Sequence, residues 1–356
     1  MLIVYYWLSW NAIPVFIPKT TSTSTTISVI IPARNEEENI AALLTALVEQ
    51  DFPPSQFEII VVNDHSTDNT AFIVSQYPWV RLLQLTEDGI NSYKKKAIER
   101  GIAAARFDLI VTTDADCIPP KKWLSSIAAY KEETNGAFIA APVVINYESS
   151  LVQVFQSIDF MVLQGITGAV VYKKNMSMCN GANMAYTREA FYSVNGFAGI
   201  DNIASGDDML LMHKIAKQYP GQVGYLKSAD AIVATQPVKS WKAFFNQRIR
   251  WASKAKSYDD KRILPVLVLV YLFNCSLVAL SIACLWYPYY LPGLLIAFLA
   301  KTLIEYPFFI SLARFFNLTK AIPLFLLFQP LHVAYTVISG FFGQFGKYEW
   351  KGRRVR

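Results

Sequence analysis

Acidic residues that follow apolar stretches are the side chains best placed to do chemistry in this sequence. Asp64 comes just after the apolar run 57–62, and Asp114 and Asp116 follow the run 109–113. Carboxylates are the ligands that Mg²⁺ and Mn²⁺ prefer, often one or two of them together with substrate phosphates. Since alternate residues of an extended segment face the same side, Asp114 and Asp116 are predicted to bind such a cation together. Helix capping is the alternative for Asp64 and for Asp68, and a plain turn is the alternative for the pair Asp114 and Asp116.

The elements predicted around these carboxylates alternate between strand and helix. Continuous apolar strands separated by helices indicate a mostly parallel sheet with helices on both faces, so the predicted fold class is α/β. Asn35 is predicted to cap the first of the helices. Ligands of such sheets bind beyond the carboxyl ends of the strands, which is where the acidic residues fall. The strands are predicted at 27–31, 57–62, 80–85 and 109–113, with helices from about 36, 67 and 94.

Several classes of site are excluded by what the sequence lacks. There is no GxGxxG after the first strand and no GxxxxGK[ST] anywhere, which excludes a dinucleotide fingerprint and a P-loop. The 4 cysteines form no CxxC pair and the 3 histidines are far apart, so neither a zinc site nor a disulfide framework is predicted. A net charge of +6, scattered along the chain, does not indicate a nucleic-acid partner.

The composition indicates that part of the chain lies in a membrane. Hydrophobic residues make up 53% of the chain and charged residues 17%, whereas soluble domains usually carry about 25% charged residues. Apolar runs at 263–286, 291–310 and 321–345 are long enough to cross a hydrocarbon layer about 30 Å thick. The run 1–17 is apolar but only marginally long, and we predict that it is an anchor rather than a removable signal.

Two basic segments flank the three C-terminal runs and indicate an orientation. The positive-inside rule places both segments on the cytoplasmic side. Three crossings between them would put the tail outside, so one run is predicted to be re-entrant or interfacial. The candidates are the third run and the run 291–310, in which Lys301 and Glu305 are spaced to pair on one helix face. The basic residues are Lys254, Lys256, Lys261 and Arg262 before the runs, and Lys347, Lys351, Arg353, Arg354 and Arg356 after them.

A series of motifs in order resembles the family-2 glycosyltransferases, which have the GT-A fold and use nucleotide sugars. The resemblance covers roughly residues 27–255, about two-thirds of the chain. The last motif is similar to the QxxRW signature of membrane-embedded members, such as the cellulose, chitin, hyaluronan and poly-N-acetylglucosamine synthases and ceramide-type glucosyltransferases. The motifs are SVIIPARNE at 28–36, VNDHSTD at 62–68, DAD at 114–116, GAN at 181–183, GDDMLL at 206–211 and QRIRW at 247–251.

The resemblance implies a role for each matching residue. Asp208 would be the general base that takes the proton from the acceptor hydroxyl. Asp114 and Asp116 would hold Mg²⁺ or Mn²⁺ at the donor. The donor, expected to be a UDP-sugar, would be bound by Pro32, Ala33, Asn35, Glu36, Asp64, Lys94, Asp114 and Asp116. The acceptor end and the leaving diphosphate would be met by Gly181, Asn183, Gln247, Arg250 and Trp251. The sequence departs from the family pattern at Tyr93, Asp207 and His213, where glycine, glutamate and arginine are usual.

The chemistry of the QxxRW residues can also be interpreted without the resemblance. On a helix, Gln247, Arg250 and Trp251 are spaced i, i+3 and i+4 and share one face. An amide, a guanidinium and an indole suit a platform for a sugar, and the guanidinium suits a diphosphate. The alternative is an interfacial helix whose tryptophans and arginines anchor at the lipid headgroups.

Together these observations predict an integral-membrane, inverting glycosyltransferase of the inner or plasma membrane with a cytoplasmic catalytic domain. With one carboxylate, Asp208, as the base, a single displacement inverts the anomeric carbon and an α-linked donor gives a β-linked product. Retention would need a second carboxylate as nucleophile. Asp207 is not expected to serve, because adjacent residues of a helix diverge by about 100° and cannot address the same carbon. The acceptor is expected to be a lipid or a growing glycan, and partner subunits are a further expectation. A non-catalytic nucleotide-binding membrane subunit is the main alternative. A nucleotidyltransferase would need a basic, Gly-rich loop after the first strand, which residues 32–36 do not supply.

We predict five segments along the chain. They are a membrane anchor at 1–19, a Thr/Ser linker at 20–26, the GT-A domain with the QxxRW helix at 27–255, transmembrane helices at 256–346 and a basic cytoplasmic tail at 347–356.

Overall fold

The computed structural model describes residues 1–19, 23–148, 150–175, 178–203, 206–253, 263–345, 348–350 and 353–355. The basic residues of the predicted linker, 254–262, lie outside these ranges, as do Lys347, Lys351 and Arg356 of the predicted tail. The helices are α1 (Leu2–Ala12), α2 (Ile40–Val48), α3 (Thr70–Ser75), α4 (Tyr93–Ala104), α5 (Trp123–Thr134), α6 (Leu151–Tyr172), α7 (Arg188–Ser193), α8 (Met209–Gln218), α9 (Trp241–Ser253), α10 (Ile263–Trp286), α11 (Leu291–Phe315) and α12 (Leu324–Phe345). The strands are β1 (Ile27–Ala33), β2 (Phe57–Asn63), β3 (Val80–Gln84), β4 (Leu109–Thr112), β5 (Cys117–Ile118), β6 (Phe138–Ala140), β7 (Val143–Ile145), β8 (Met184–Thr187), β9 (Val223–Tyr225), β10 (Val233–Thr235), β11 (Tyr348–Trp350) and β12 (Arg353–Val355).

The chain forms two compact units. The sheet unit contains residues 12–146, 166–236 and 349–356, and the helical unit contains residues 1–11, 147–165 and 237–348. The predicted five-segment organisation stays a prediction, because compactness alone does not assign a role to a segment.

The sheet unit is built on a seven-stranded sheet in the order β3-β2-β1-β4-β8-β6-β9. Strands β1 to β4 are parallel, with Ile30 paired to both Ile60 and Thr112. Almost all side chains of β1, β2 and β4 are buried on both faces because helices cover the sheet, which explains their continuous apolar runs. Strand β3 lies at the edge of the sheet and is only partly buried. The predicted α/β fold is thus confirmed. Strand β8 runs antiparallel to β4 and to β6, so the sheet is mixed.

Helix α4 lies close against the sheet at a glycine. A Cβ added to Gly101 would lie 2.4 Å from Cγ2 of Ile30 on β1, which is far inside van der Waals contact. Only glycine permits this approach without a shift of the helix. The close packing fixes α4 over β1 and so determines where its first turn, with Lys94, lies along the sheet.

The start of helix α2 differs from the prediction. The helix begins at Ile40, and Asn39 rather than Asn35 is the residue that precedes it. Asn35 instead adopts a left-handed backbone with φ +49°. Its side-chain oxygen accepts a hydrogen bond from the backbone of Thr67, at 2.9 Å. The polar group that suited a cap is therefore used to connect two loops.

The helical unit contains long apolar helices. Four helices of the described chain are long and apolar enough to cross a membrane: residues 151–172, 263–286, 288–315 and 324–344. The predicted run 263–286 coincides with α10, and the other two predicted runs correspond to α11 and α12. In α11, Lys301 and Glu305 form the predicted i,i+4 pair at 2.7 Å. Helix α6, which was not predicted as a span, differs from the others because most of it is buried inside the protein.

The N-terminal helix is short. Helix α1 has 11 residues, which at 1.5 Å per residue gives about 16 Å, roughly half of a hydrocarbon layer. Within the helical unit, Trp10 of α1 is buried and packs edge-on against Phe315 of α11, with ring centroids 5.1 Å apart. The apolar character of α1 is thus used for packing against another helix.

Candidate active site

Two of the predicted acidic residues lie at the carboxyl edge of the parallel strands. Asp64 follows β2 directly, and its backbone N–H donates to the carbonyl of Ala33 at the end of β1, at 2.8 Å. Asp114 lies just beyond β4, the strand on the other side of β1. Asp64 and Asp114 therefore follow the two strands that flank β1 in the sheet.

The loops after β1 and β2 are tied together. Arg34 donates through Nη1 to the carbonyls of Asp64 and His65, at 2.9 and 3.1 Å. The backbone N–H of Glu36 donates to the hydroxyl of Thr70, at 2.7 Å. The predicted donor-binding residues Pro32 and Ala33 belong to β1 itself. The structure therefore brings the residues 32–36 and Asp64 to one place, and Arg34 is an organising residue that the sequence analysis missed.

His65 adds a feature that was not predicted. Its backbone lies in the left-handed region, with φ +50°, which is uncommon for a residue other than glycine. Its ring lies between two carboxylates, with Nδ1 3.0 Å from Oδ1 of Asp64 and Nε2 3.2 Å from Oδ1 of Asp88. The ring also meets Tyr93 edge-on, with centroids 5.8 Å apart. His65 thus connects the end of β2 to the loop that precedes α4.

The capping alternative applies to Asp68 but not to Asp64. Oδ1 of Asp68 accepts from the backbone and the hydroxyl of Thr70, at 3.0 and 2.6 Å. Partial burial by itself raises the pKa of Asp68, but these hydrogen bonds outweigh it and hold the pKa below the usual value. The carboxylate of Asp64 instead faces His65 and Arg34, and it is almost fully buried.

A cationic side chain joins acidic residues from distant parts of the chain. Nζ of Lys94, in the first turn of α4, is 2.7 Å from Oδ1 of Asp114 and 3.2 Å from Oδ2 of Asp207. Burial by itself lowers the pKa of Lys94, but the charges of Asp114, Asp207 and Asp208 outweigh it and raise the pKa above the usual value. Lys94 is therefore a fixed positive charge within what we name the acidic cluster: Lys94, Asp114, Asp207, Asp208 and Gly181.

Asp208, the predicted general base, precedes helix α8 and is not part of it. Its Oδ1 accepts from the backbone N–H of Met209 at 2.7 Å, and its Oδ2 accepts from the N–H of Gly181 at 3.2 Å. The expectation that Asp207 and Asp208 diverge as helical neighbours is wrong, because both lie in the turn before α8. They differ instead in their partners, since Asp207 pairs with Lys94.

Gly181 is required by the close packing of this cluster. A Cβ at this position would lie 3.0 Å from Oδ2 of Asp207, 3.3 Å from Nζ of Lys94 and 3.7 Å from Cβ of Asp208. Contacts of 3.0 to 3.3 Å force the charged groups to move. The prediction that Gly181 belongs to the site is consistent with this position.

Helix α4 also holds the segment that leads to Asp207. Lys95 is buried, and its Nζ donates to the carbonyls of Ile200 and Ile203, at 2.6 Å each. The hydroxyl of Ser92 donates to the same carbonyl of Ile203, at 3.0 Å. Two neighbouring residues of one helix thus have separate tasks, because Lys94 binds the carboxylates and Lys95 binds the backbone.

The Asp114–Asp116 pair lies in a turn. The backbone N–H of Cys117 donates to the carbonyl of Asp114 at 3.2 Å, which closes a four-residue turn. The predicted extended geometry is therefore wrong, because the chain turns here toward β5. Both aspartates are half-buried. In the part of the chain that the structure describes, no group of three or more metal-ligating side chains occurs. Two carboxylates fit a divalent cation that takes its other ligands from phosphates and water.

Asn183 has a different environment from the one predicted. It is fully buried, and its Oδ1 accepts from the indole N–H of Trp123 at 2.9 Å. Its Nδ2 donates to the carbonyls of Pro142 and Ala231, at 2.7 and 2.8 Å. Because its amide already has three protein partners, Asn183 supports the segment after Gly181 and has no group turned toward a substrate.

The QxxRW residues Gln247, Arg250 and Trp251 lie on α9 in the helical unit. The most buried member of this segment is Arg248, which lies between the motif residues and was predicted only as one of the arginines that could anchor the helix at the lipid headgroups. Its Nη1 donates to Oε1 of Gln247 at 2.7 Å, and its guanidinium carbon lies 4.3 Å from the ring centre of Trp251. The helical spacing of Gln247 and Trp251 thus brings both of them onto one guanidinium.

Comparison with known proteins finds similarity to glycosyltransferases. Residues 28–194 match the profile of the family described as "Glycosyl transferase family 2". The chain is 29% identical over 235 residues to "Probable glycosyltransferase YdaM" of Bacillus subtilis, an alignment that covers 64% of this chain and 54% of the relative. It is 24% identical over 236 residues to "Poly-beta-1,6-N-acetyl-D-glucosamine synthase" of Staphylococcus epidermidis, covering 64% of this chain and 53% of the relative. The chain thus spans about half the length of these relatives.

Among solved structures, the chain is similar to the mannosyltransferase PcManGT from Pyrobaculum calidifontis, determined in complex with GDP-Man and Mn²⁺. The TM-score is 0.57 at 18% sequence identity, and the match covers 95% of this chain and 94% of that one. At this identity the likeness establishes the fold alone.

Proposed function

We propose, from the premise that residues 28–194 form a family-2 glycosyltransferase domain, that this chain is an integral-membrane, inverting glycosyltransferase. It transfers a sugar from a nucleotide-sugar donor, a UDP-sugar, to a lipid or growing glycan acceptor. The observation that carries the proposal is the acidic cluster at the carboxyl edge of the sheet, where Lys94 joins Asp114 to Asp207 and Gly181 contacts Asp208. Substrates of open α/β sheets bind at this edge.

The donor would lie against the connected loops after β1 and β2. Residues 32–36 and Asp64 line this part of the edge, and Asp114 and Asp116 follow the neighbouring strand. Asp114 and Asp116 would hold Mg²⁺ or Mn²⁺, and the Mn²⁺ and GDP-Man of the mannosyltransferase with the same fold support a cation-bound donor. When bound, such a cation offsets the negative charge of the leaving diphosphate. The uridine of the donor is a proposal that rests on the resemblance of the motifs.

Asp208 would take the proton from the acceptor hydroxyl. Each of its two carboxylate oxygens accepts one backbone hydrogen bond, and a carboxylate oxygen has two acceptor sites. Acceptor capacity therefore remains for a hydroxyl while the two bonds hold the group in one orientation. A single displacement at the anomeric carbon inverts its configuration, so an α-linked donor gives a β-linked product.

The helical unit supports a membrane location and an acceptor with lipid character. Helices α10, α11 and α12 expose large apolar side chains along most of their length, which is expected of helices that face lipid. Gln247, Arg250 and Trp251 are proposed to serve the acceptor and the diphosphate. The catalytic domain is proposed to lie on the cytoplasmic side of the inner or plasma membrane.

Release of nucleoside diphosphate from a panel of UDP- and GDP-sugars tests the proposal. The full chain is assayed in native membranes with Mg²⁺ or Mn²⁺, next to Asp208→Asn, Asp116→Ala and Asp201→Asn. We expect release from one donor, and loss of release but retained UDP binding in Asp208→Asn. In Asp116→Ala we expect loss of metal-dependent donor binding, and metal-independent activity in that variant would contradict the role of Asp116. Asp201 is exposed on the segment before the cluster, so its variant is the matched control and keeps activity.

The same assay separates the alternative. A non-catalytic nucleotide-binding subunit binds UDP but releases nothing from any donor, with or without a cation. If Asp208→Asn loses UDP binding as well, Asp208 is a donor ligand and not the base. If Asp208→Asn keeps full activity, the carboxylate serves only to cap α8 and the proposed mechanism is wrong.

A further inference from the structure

An ion pair is buried inside the helical unit. Arg248 of α9 and Asp159 of α6 are joined by two contacts to one carboxylate oxygen, Oδ2, at 2.7 Å from Nη2 and 2.9 Å from Nε. Both side chains are only 3% exposed. Burying two charges carries a large desolvation cost, and ionisable groups within apolar helices are retained mostly where they serve a function.

A third helix completes the pair. The hydroxyl of Tyr335 on α12 donates to Oδ1 of Asp159, the oxygen that Arg248 does not use. His332, on the same helix, has Nε2 4.0 Å from that oxygen. One carboxylate on α6 therefore connects α9 to α12, and every contact involved lies within the helical unit.

Arg248 in turn holds two residues of the QxxRW motif. Its guanidinium lies between two rings, with Cζ 4.6 Å from the centre of Phe244 and 4.3 Å from the centre of Trp251. Its Nη1 donates to Oε1 of Gln247 at 2.7 Å. A planar guanidinium suits this arrangement because it stacks on aromatic faces and donates in several directions within its plane, which a lysine ammonium does not.

We propose that Asp159 and Arg248 are positioning residues for the acceptor. Asp159 fixes the guanidinium, and the guanidinium fixes the indole of Trp251 and the amide of Gln247 in the orientation that an incoming sugar or lipid-linked acceptor requires. This inference rests on the proposed function and deepens it. It also gives the second residue of the QRIRW segment a task separate from that of Arg250.

Another ion pair in the same unit serves as the control. Lys301 and Glu305 on α11 pair at 2.7 Å, and Gln329 of α12 donates to Glu305 at 2.9 Å. Lys301 is buried and Glu305 is partly exposed. This pair also connects helices of the unit but contacts neither Gln247 nor Trp251 in the described structure. A variant such as Glu305→Gln therefore disturbs an ion pair of the unit without disturbing the residues proposed to meet the acceptor.

The test compares Arg248→Lys, Asp159→Asn and Glu305→Gln with the wild-type full chain. Transfer is measured as kcat/KM for the acceptor and as KM for the donor, and the melting temperature is measured in detergent. We expect Arg248→Lys and Asp159→Asn to lower kcat/KM for the acceptor about 10-fold or more, as for other misplaced substrate contacts, with an unchanged donor KM. Glu305→Gln is expected to lower the melting temperature and to leave acceptor kinetics unchanged.

A second readout does not depend on activity. The resonance of Trp251 is followed by fluorine NMR in protein labelled with 5-fluorotryptophan and assigned with Trp251→Phe. It is expected to shift in Arg248→Lys and Asp159→Asn and to stay in place in Glu305→Gln. An unshifted resonance in both variants overturns the inference. So does a loss of acceptor kcat/KM in Glu305→Gln equal to that in Arg248→Lys, because the pair then acts only through stability. Absence of release in the wild type would instead refute the proposed function.

Discussion

Lys94 organises the proposed catalytic site through its charge. Its ammonium lies between two carboxylates that are far apart in the sequence, Asp114 and Asp207, and offsets part of the repulsion between them. The pKa of Lys94 is raised above its usual value of 10.5. A base with a raised pKa contributes its full stabilisation below its unfolded pKa, and that contribution is lost only as the pH rises through the folded one. Lys94 is therefore expected to add no pH dependence near neutrality.

At the same scale, Gly181→Ala tests how tightly the acidic cluster is packed. The new methyl group would lie 3.0 Å from Oδ2 of Asp207 and 3.3 Å from Nζ of Lys94, so these groups must move. Such contacts displace the neighbouring groups by a few tenths of an ångström, and displacements of about 1 Å in a site reduce rates by up to about 100-fold. We therefore expect release of nucleoside diphosphate to fall about 3-fold or more with the fold retained. Gly293→Ala, where a Cβ meets nothing within 4 Å, is the control. Full activity in Gly181→Ala would contradict the packing described here.

Helices and the segments attached to them divide the work of positioning. Helix α4 carries Lys94 and Lys95, which bind the carboxylates and the neighbouring backbone respectively. Helix α5 has a comparable role for residues 23–25, the segment that precedes β1. Glu132 of α5 accepts hydrogen bonds from the backbone N–H groups of Ser24 and Thr25, at 2.8 and 3.0 Å, and from the hydroxyl of Thr23. These bonds attach the segment before β1 to the helix.

The attachment of this segment is expected to depend on pH. The hydrogen bond from Thr23, with others from Ser24 and Thr25, lowers the pKa of Glu132 from 4.5 to about 2. An acid with a lowered pKa contributes stability above its unfolded pKa, and this contribution is lost as the pH falls from about 4.5 toward 2. In Glu132→Gln we expect the amides of Ser24 and Thr25 to lose protection from hydrogen exchange already at neutral pH.

Glu133→Gln is the matched control for this exchange measurement. Glu133 pairs with Lys19 at 2.9 Å and accepts nothing from Ser24 or Thr25 in the described structure. Their amides should therefore remain protected in Glu133→Gln. Equal loss of protection in both variants would mean that general fraying of α5, and not the Glu132 carboxylate, controls the segment.

For the molecule as a whole, the membrane topology is the property with the largest consequence. Helices α10, α11 and α12 have 24, 25 and 22 residues, and each is long enough to cross about 30 Å of hydrocarbon. The positive-inside rule nevertheless predicts that the basic segments before α10 and after α12 share one side. Length and charge therefore make different predictions about how many of the three helices cross.

Reporter fusions decide between these two predictions. A reporter is placed after Arg356, and a second is inserted between α9 and α10, each with a compartment-specific readout. We expect both to be cytoplasmic, because the charge of both segments opposes translocation. An external reporter at Arg356 with a cytoplasmic one before α10 would mean that all three helices cross and that the prediction of a re-entrant segment is wrong.

Much of the fold could be predicted because its signals are local. The apolar runs that became β1 to β4 and the run 263–286 that became α10 are visible as stretches of residue type. Other features could not be predicted from a pattern. The turn at Asp114 depends on a hydrogen bond that closes at Cys117. The burial of Asn183 depends on partners from three other segments, which no spacing in its own motif reveals.

From the sequence alone it follows that acidic residues come after buried strands and that long apolar helices lie in the C-terminal part of the chain. Such features depend on the order of polar and apolar residues along a short stretch, because burial of apolar side chains acts on that order. The pairing of Lys94 with both Asp114 and Asp207, and of Arg248 with Asp159, 89 residues away, is known only from the three-dimensional structure. A buried charge must find an opposite one wherever the chain brings it, and that partner depends on the path of the whole chain.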